Sequence, residues 1–461
     1  MNSINKNIIK SILILSMSTF GWSCSDEVLN EIDTDPNALN PQQVLPVNVW
    51  VAASERLVTN VMGNTSAVAA ATFSELLSNS TNNGYRADFT ATPTWVQMYY
   101  TLNDFEQIIT RAEANESWNF AGCAKVLKAY TLAVATDLFG DIPYSETGKP
   151  TQIQNPKVDT QEAIYAEVLA LLEGGIADLG KGAEDDFAGV DQFYGGNIGL
   201  WLKTAYGLKA RYLNRLSNRS DHDDQIIAAL ASAYQSNDDN LVFSGYSENN
   251  RNPIGNLNAD LVVHSTFVNT LLQFENGDSV TDPRAEIWMT LHDNTYKGAI
   301  GFAESGGLYN DFSAPKAPFF GPAAPMPLLT FSELKFIEAE TLLRQGNTVA
   351  SNDAYEAAVT ASMNSFGVDA AAIATFAAAS EVFPGASALA LEDIMRQKFL
   401  SFFVYQGIEA YNDIRRTGIP ANQEEQPVKF PLPNSEADIN SNLEGQTFTS
   451  LTNADKVWWA K

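Results

Sequence analysis

Side chains able to carry covalent chemistry are few in this sequence. Its three histidines, His222, His264 and His292, stand in unrelated contexts. No G-x-S-x-G elbow accompanies them, so a Ser–His or Cys–His nucleophile has no support. H-E-x-x-H, C-x-x-C, Walker A and G-x-G-x-x-G patterns are missing too, and no cofactor is expected. Paired carboxylates need separate thought, because glycoside hydrolysis requires only two. With 55 Asp plus Glu, pairs occur everywhere, for example Asp137, Asp141 and Glu146 in TDLFGDIPYSE. Gly140 and Pro143 make that stretch a helix stop, in which Asp141 is expected to bond backbone amides. Asp221, His222, Asp223 and Asp224 in SDHDD could attract a cation. They lack the glycine and spacing of an EF-hand loop, and a solvated helix start is expected instead. No catalytic residue and no metal ligand is assigned.

The two cysteines, Cys24 and Cys123, differ in kind. Cys123 lies in a run of Ala and Val and reads as a small buried hydrophobe. Cys24 follows Lys6, Lys10, an apolar run from Ile12 to Leu15, and then Gly21, Trp22 and Ser23. A charged segment followed by a short apolar one is too short to span a bilayer and has the form of an export signal, residues 1–23. Small residues before a cysteine resemble a lipoprotein lipobox, although Trp22 stands where a small residue is usual. The expectation is cleavage before Cys24 and acylation of it; the alternative is cleavage near Ser16-Met17-Ser18 with Cys24 an ordinary thiol. Several acyl chains anchor stably, because each buried methylene contributes about 0.8 kcal/mol. Asp26 and Glu27 resemble the acidic signal that sends some Bacteroidetes-type lipoproteins to the outer face of the outer membrane. Residues 24–40, acidic and turn-rich, are expected to form a tether.

Composition is that of a globular body, 45% hydrophobic with 11% aromatic residues. The net charge is −27, and removing residues 1–23, which hold two lysines and no acids, makes it −29. Such a body is repelled by nucleic acid and by anionic headgroups, so neither is an expected ligand and the membrane is expected to be reached by lipid alone. What the chain does offer is aromatics beside amides. Sugar rings have apolar C–H faces that stack on Trp and Tyr, and hydroxyls that pair with Asn, Asp and Arg. The stretch 79–94 holds Asn82, Asn83, Tyr85, Arg86 and Phe89, and Trp95 follows. A second irregular stretch holds Tyr246, Asn249, Asn250, Arg251, Trp288, Tyr296 and Tyr309. Tyr85, Arg86, Trp95, Trp288, Tyr296 and Tyr309 are the expected ligand-binding residues, lying between the loop at 79–95 and the region around 246–310. Trp95 opens a helix and could instead seal the core.

The elements that must position these residues read largely as helices. Apolar spacing of three and four predicts helices over 95–114, 121–140, 160–179, 197–216, 329–346, 353–367 and 389–418, with a long Ala- and Val-rich stretch from Val47 to Ser78. Thr160 is an expected N-cap. Periodicity is lost between about 240 and 325. Several segments pair as helix-turn-helix units of tetratricopeptide type, best seen where Ala339, Gly346, Tyr355 and Ala358 supply small, aromatic and turn-closing residues. The fold expected is mainly α, with tetratricopeptide-like helix pairs packed against an irregular, loop-rich half in a single domain over 41–461.

DTDPNAL, ATDLFGDIPYSE, LKTAYGLKARYLNRL, LTFSELKFIEAE, YQGIEAYNDIRRTGIP and PVKFPLPNSEADINSN occur in the order seen in SusD/RagB-like outer-membrane lipoproteins, and the chain resembles their second SusD-like subgroup from about Asp33 to Asn442. It departs at Lys429 and Leu432-Pro433, where that family usually has an arginine and a Tyr-Pro. The resemblance implies a SusD-like α superhelix of four tetratricopeptide-like helix pairs. It further implies a lipid-anchored protein on the outer membrane, facing the cell exterior, that is not an enzyme. It would capture oligosaccharide or another nutrient, peptides among them, for a partner TonB-dependent (SusC-like) transporter. Arg415 and Arg416 are expected to pair with carboxylates and helix-end carbonyls. The alternatives are a helical-repeat scaffold without a sugar site, which docks partner proteins with the same helices, and a surface glycan hydrolase.

Overall fold

Polar side chains mark where the helices begin. Asn64 accepts a hydrogen bond from the Ser66 amide, Thr160 from Ala163, Asn197 from Leu200, Thr330 from Glu333 and Asn347 from Ala350. Each satisfies an amide that has no partner inside the first helical turn. The expected cap at Thr160 is thus present. The computed structural model describes residues 46–79, 91–148, 152–257, 261–272, 281–300, 311–379, 381–423, 425, 427–443 and 455–461. Cys24, the export signal and the tether lie outside the described residues.

The body spans Pro46–Lys461. Helix α1 (Pro46–Arg56) runs into a π-helical turn, Leu57–Val61, and α2 (Thr65–Phe73) follows, leading into β1 (Leu77–Asn79). Next come α3 (Thr92–Ala114) and α4 (Trp118–Phe139), then the short strands β2 (Ile142–Pro143) and β3 (Val158–Asp159). Helices α5 (Gln161–Leu179), α6 (Ile198–Arg215) and α7 (Asp223–Ala231) complete the first half. The irregular part carries β4 (Leu241–Phe243), β5 (Leu261–Val263), α8 (Ser265–Leu272), α9 (Ala285–Trp288) and β6 (Met326–Leu329). Helices resume with α10 (Phe331–Arg344), α11 (Thr348–Ser365), α12 (Ala370–Ala377), α13 (Leu391–Ser401), α14 (Gly407–Thr417) and α15 (Asn434–Ile439). Among the described residues the strands pair only in antiparallel twos: β1 with β5, β2 with β3, β4 with β6. The protein is therefore mainly α.

The long helices stack in sequence, α3 on α4, α4 on α5, α5 on α6, and α6 on α7 and α10, with α11 and α13 against α10. Three-residue turns close the α3–α4 and α10–α11 pairs. In the second pair Ser351 donates to the Ala339 carbonyl at 2.7 Å, Tyr355 and Ala358 are buried, and Gly346 takes φ +78°, as the helix-pair signature implied. Helix α4 is buried on nearly every side, including Cys123. Burial pushes the Cys123 thiol well above its ordinary pKa, and Asp191 and Asp185 add to the effect. Two glycines let α4 meet α5. A Cβ on Gly122 would lie 2.5 Å from the Leu179 side chain, and one on Gly175 would lie 3.1 Å from the Gly122 carbonyl. Gly122→Ala is expected to cost about 1–2 kcal/mol, overpacking outweighing the helix propensity gained, read as a lower urea midpoint at unchanged m.

The segments that carried the family resemblance meet inside this stack. Arg211 of α6 holds the Glu333 carboxylate of α10 with two bonds of 2.6 Å. Arg215 pairs with Glu409 of α14 and lies 3.8 Å from Asp137 of α4. Arg416 reaches Glu340 at 2.8 Å and Asp413 at 3.1 Å, while Lys398 reaches Asp413 at 2.7 Å. All of these side chains are buried. Arg415 donates to the Val428 carbonyl and to that of Asp137 in the last turn of α4. Both arginines thus bond as expected. Burial opposes ionisation of Glu340, Glu409 and Asp413, yet the cations beside them prevail and hold all three below the usual carboxylate range.

Two expected helices are divided. The Val47–Ser78 stretch breaks at residues 62–64, where Asn64 caps α2. The 389–418 run breaks at residues 402–406, where Val404 has φ +72°. Gly407 adjoins that second break, but no Gly or Pro lies within it. It follows from packing: Phe402, Phe403, Val404 and Tyr405 are all buried, and a Cβ on Gly407 would lie 2.6 Å from that of Ala71 on α2.

Candidate functional site

The apolar triplet in LVVH, two of its residues β-branched valines, lies among Gly- and Asn-rich turns and forms β5, buried at every position. Sequence reasoning passed over this short strand, although a β-branched run between turn residues is its usual signal. Leu77 pairs with Val263 and Asn79 with Leu261. Two more segments join the same strand. The Val263 amide donates to the Ser313 carbonyl at 2.8 Å, the Ala299 amide to the Val263 carbonyl at 2.9 Å, and the Ser265 amide to the Ala299 carbonyl at 2.8 Å. Ser313 in turn donates from its amide to the Lys297 carbonyl at 2.8 Å. Asn79, which precedes 80–90, Leu261, which follows 258–260, and Ala299 and Ser313, on either side of 301–310, therefore gather along Leu261–Ser265, about 13 Å of chain. Tyr85, Arg86 and Tyr309 belong to those stretches and lie outside the described residues. Tyr296, one residue from Lys297, is half-buried against the core. Just before it, His292 and Thr295 exchange backbone bonds of 2.8 and 2.9 Å around Asp293 (φ +48°) and Asn294 (φ +61°), a tight turn for which Asx residues are suited.

Beneath β1 and β5 sits a buried polar group. Glu75, fully buried and at φ +58°, accepts from the Gln423 amide at 2.9 Å and from the Thr266 hydroxyl. Its carboxylate is 3.8 Å from His264 Nδ1, which accepts the Thr266 amide at 3.0 Å. One carboxylate thus ties the end of α2, the start of α8 and the chain after α14. Burial pushes the His264 pKa below the ordinary imidazole value, against the pull of Glu75. A depressed histidine stabilises the fold above its unfolded pKa of about 6.5, and that stability is lost as pH falls toward the folded value. Urea midpoints are expected to drop between about pH 7 and 5.5, and a His264→Asn variant, whose oxygen can accept the Thr266 amide, is expected to flatten that slope.

The two tryptophans on which ligand stacking was expected lie elsewhere. Trp95, at the start of α3, is buried with Tyr99 and Phe139 each 5.0 Å from its ring, and its Nε1 donates to Glu436 at 3.4 Å. Trp288 ends α9 and is 0% exposed. Phe366 meets it edge-on at 5.1 Å, Phe403 lies at 5.2 Å, and the Arg284 guanidinium is 4.9 Å from the ring. Neither indole offers an open face. The one turn of α9 directs Trp288 inward, where the aromatic cluster buries more apolar surface than a loop could. Tyr246 is buried against Phe243 as well, at 4.9 Å.

The acidic residues weighed for catalysis all have structural partners. Asp137 accepts from Tyr165, from Asn412 at 3.0 Å and from the Trp459 indole at 2.8 Å. Asp141 accepts the Gln161 amide at 2.8 Å, and Glu146 the Lys157 amide at 2.9 Å. Asp223 and Asp224 fall in the first turn of α7, where Arg344 bonds Asp223 at 2.7 Å.

Stacked helix pairs beside an irregular half with short sheets define a class of α-helical repeat protein. The chain belongs to the SusD-like_2 family, whose description is starch-binding associating with outer membrane and whose pattern matches residues 40–432. Solved structures agree on the fold. A SusD/RagB family protein from Bacteroides thetaiotaomicron superposes with a TM-score of 0.75 at 23% identity, covering 91% of this chain and 99% of the other. A chitin-binding SusD homologue from Flavobacterium johnsoniae gives 0.74 at 20% identity, over 89% and 98% of the two chains. A Bacteroides vulgatus protein whose name connects it with the outer membrane and nutrient binding gives 0.75 at 22%, over 91% and 100%. None of the curated protein sequences matches significantly.

Proposed function

We propose that this chain is a nutrient-binding lipoprotein of the outer membrane that captures oligosaccharide at the cell surface and passes it to a TonB-dependent transporter. The observation that carries this reading is family membership over residues 40–432, a family described as starch-binding. The chitin-binding neighbour supports a glycan over other nutrients. Acyl chains on Cys24 hold the body at the membrane, and among the described residues no helix is long and apolar enough to cross it. The ligand sits over the β1–β5 sheet, contacted by Tyr85, Arg86, Tyr296 and Tyr309, while helical surface docks on the transporter. The reading involves binding without chemistry.

Isothermal titration of the purified protein with starch- and chitin-derived oligosaccharides tests it. Saturable binding of at least one glycan is expected. Tyr85→Ala and Tyr296→Ala should each weaken it by about 1–3 kcal/mol, the usual range for an aromatic anchor, with unchanged circular dichroism. Absence of saturable binding across a glycan panel would leave a scaffold that only docks proteins, and product release from a polysaccharide would make it a hydrolase. Acyl chains found by mass spectrometry on a Cys24→Ser variant would remove the anchor from the proposal.

A further inference from the structure

A cavity of about 160 Å³ lies in the seam between the irregular part and the helix stack, away from the β1–β5 sheet. Its walls come from β4, β6 and the loop before it on one side, and from α10, α11 and the α13–α14 turn on the other. Phe319, Phe366, Phe403 and Tyr405 present rings to it, and no lining side chain is charged. Three of its hydroxyls are committed: Ser332 donates to the Ala358 carbonyl, Ser365 to that of Ser362, and Ser401 to that of Lys398. Their oxygens are left to accept. The Ser362 hydroxyl, also on the wall, accepts from fully buried Arg284 at 3.0 Å, which fixes its position.

Val404 adds an independent observation. A β-branched residue at φ +72° is a true backbone outlier, and such strain persists where the surroundings enforce it, often at ligand sites. Here it turns the chain between α13 and α14 so that Phe403, Val404 and Tyr405 all line the cavity. Phe403 is at the same time stacked on Phe267 at 4.6 Å, so this wall is rigidly backed.

The geometry points to a second binding site in this seam, for a neutral aromatic ring with a hydrogen-bond donor at its edge, the chemistry of a phenol or an indole. A void of about 150 Å³ is known to accept a benzene ring. The uncharged wall excludes amino acids and other ions, whose desolvation nothing here offsets. A pyranose fits less well: its several hydroxyls would face walls made mainly of carbon, each unmatched one at a cost. A single edge donor, by contrast, meets the accepting serine oxygens. Ser365 is exposed, so it marks the mouth. This site is independent of glycan capture over β1–β5, and either can fail without the other.

Ligand-observed saturation-transfer NMR on the whole protein, with phenol and indole as probes and glucose alongside, tests the assignment. Phenol and indole are expected to bind saturably, with dissociation constants on the order of millimolar for so few atoms, and to displace each other. Ser365→Leu, which narrows the mouth, should weaken both at least tenfold, while Ser365→Ala, which leaves it open, should not. Lack of saturation by either ring, or equal affinity in Ser365→Leu, would overturn the site. Glucose competing with phenol would overturn the ligand class. Mutual displacement of the two rings needs no variant, so a Ser365→Leu protein that failed to fold would still leave a decisive measurement.

Discussion

Glu409→Ala is expected to lower the free energy of unfolding by about 3–5 kcal/mol, the usual cost of breaking a buried ion pair by removing one partner. Arg215 would lose its bonded carboxylate, and Arg211 a second one 3.7 Å away, both guanidinium groups being buried. Glu409→Gln should cost less, since an amide oxygen can still accept. Equilibrium urea unfolding followed by circular dichroism measures both. A loss under 1 kcal/mol for Glu409→Ala would mean that the network is solvated and that its charges relax.

Burial raises the pKa of Glu333 and of Asp137 in the same network, but three of its carboxylates predict an acid response of the opposite, definite sign. Glu340, Glu409 and Asp413 are depressed in the fold, so their stabilisation is complete above the unfolded carboxylate pKa of about 4 and is lost as pH falls below it. Protonation of surface acids acts the other way, because it relieves repulsion in a chain of net charge −27. The contributions separate in a comparison: the stability gap between wild type and Asp413→Asn should be widest near pH 7 and close below about pH 4.

Trp288→Ala is the second large effect, a loss of about 3–5 kcal/mol for a fully buried indole replaced by a methyl group. Phe366, Phe403 and Phe267 would line the void, and the Arg284 guanidinium would lose its ring partner. Thermal and urea unfolding should both register it. Tyr296→Ala, at a half-buried position, is expected to cost clearly less stability. If the two variants unfolded alike, the distinction between core and surface aromatics drawn from their burial would be wrong.

These contrasts show why the candidate site was only partly legible in the sequence. Tyr296 and Trp288 occupy similar irregular stretches, eight residues apart, and nothing local separates them. Their fates diverge because α9 faces the Phe267–Phe403 pair on α8 and the α13–α14 turn, partners remote in sequence. Likewise Asn79 and Leu261 become neighbours only through strand pairing. The acids of TDLFGDIPYSE could be read as a helix stop from Gly140 and Pro143, but not that Asp137 would receive a tyrosine, an asparagine and a tryptophan from three other segments.

By itself the sequence determined the helical class, several helix starts and the segments that identify the family. Capping by Thr160 or Asn197 acts over three residues, and apolar spacing of three and four acts within one helix, so both are written locally. Composition alone likewise determined the strong negative charge. Tertiary structure decided the break at 402–406, where burial of four consecutive side chains and the contact of Gly407 with Ala71 overrode the helical apolar spacing. It also decided which charges meet, which aromatics are core and which loops share a root. Each of those depends on pairs far apart in the chain, and their energies arise only once the helices have packed.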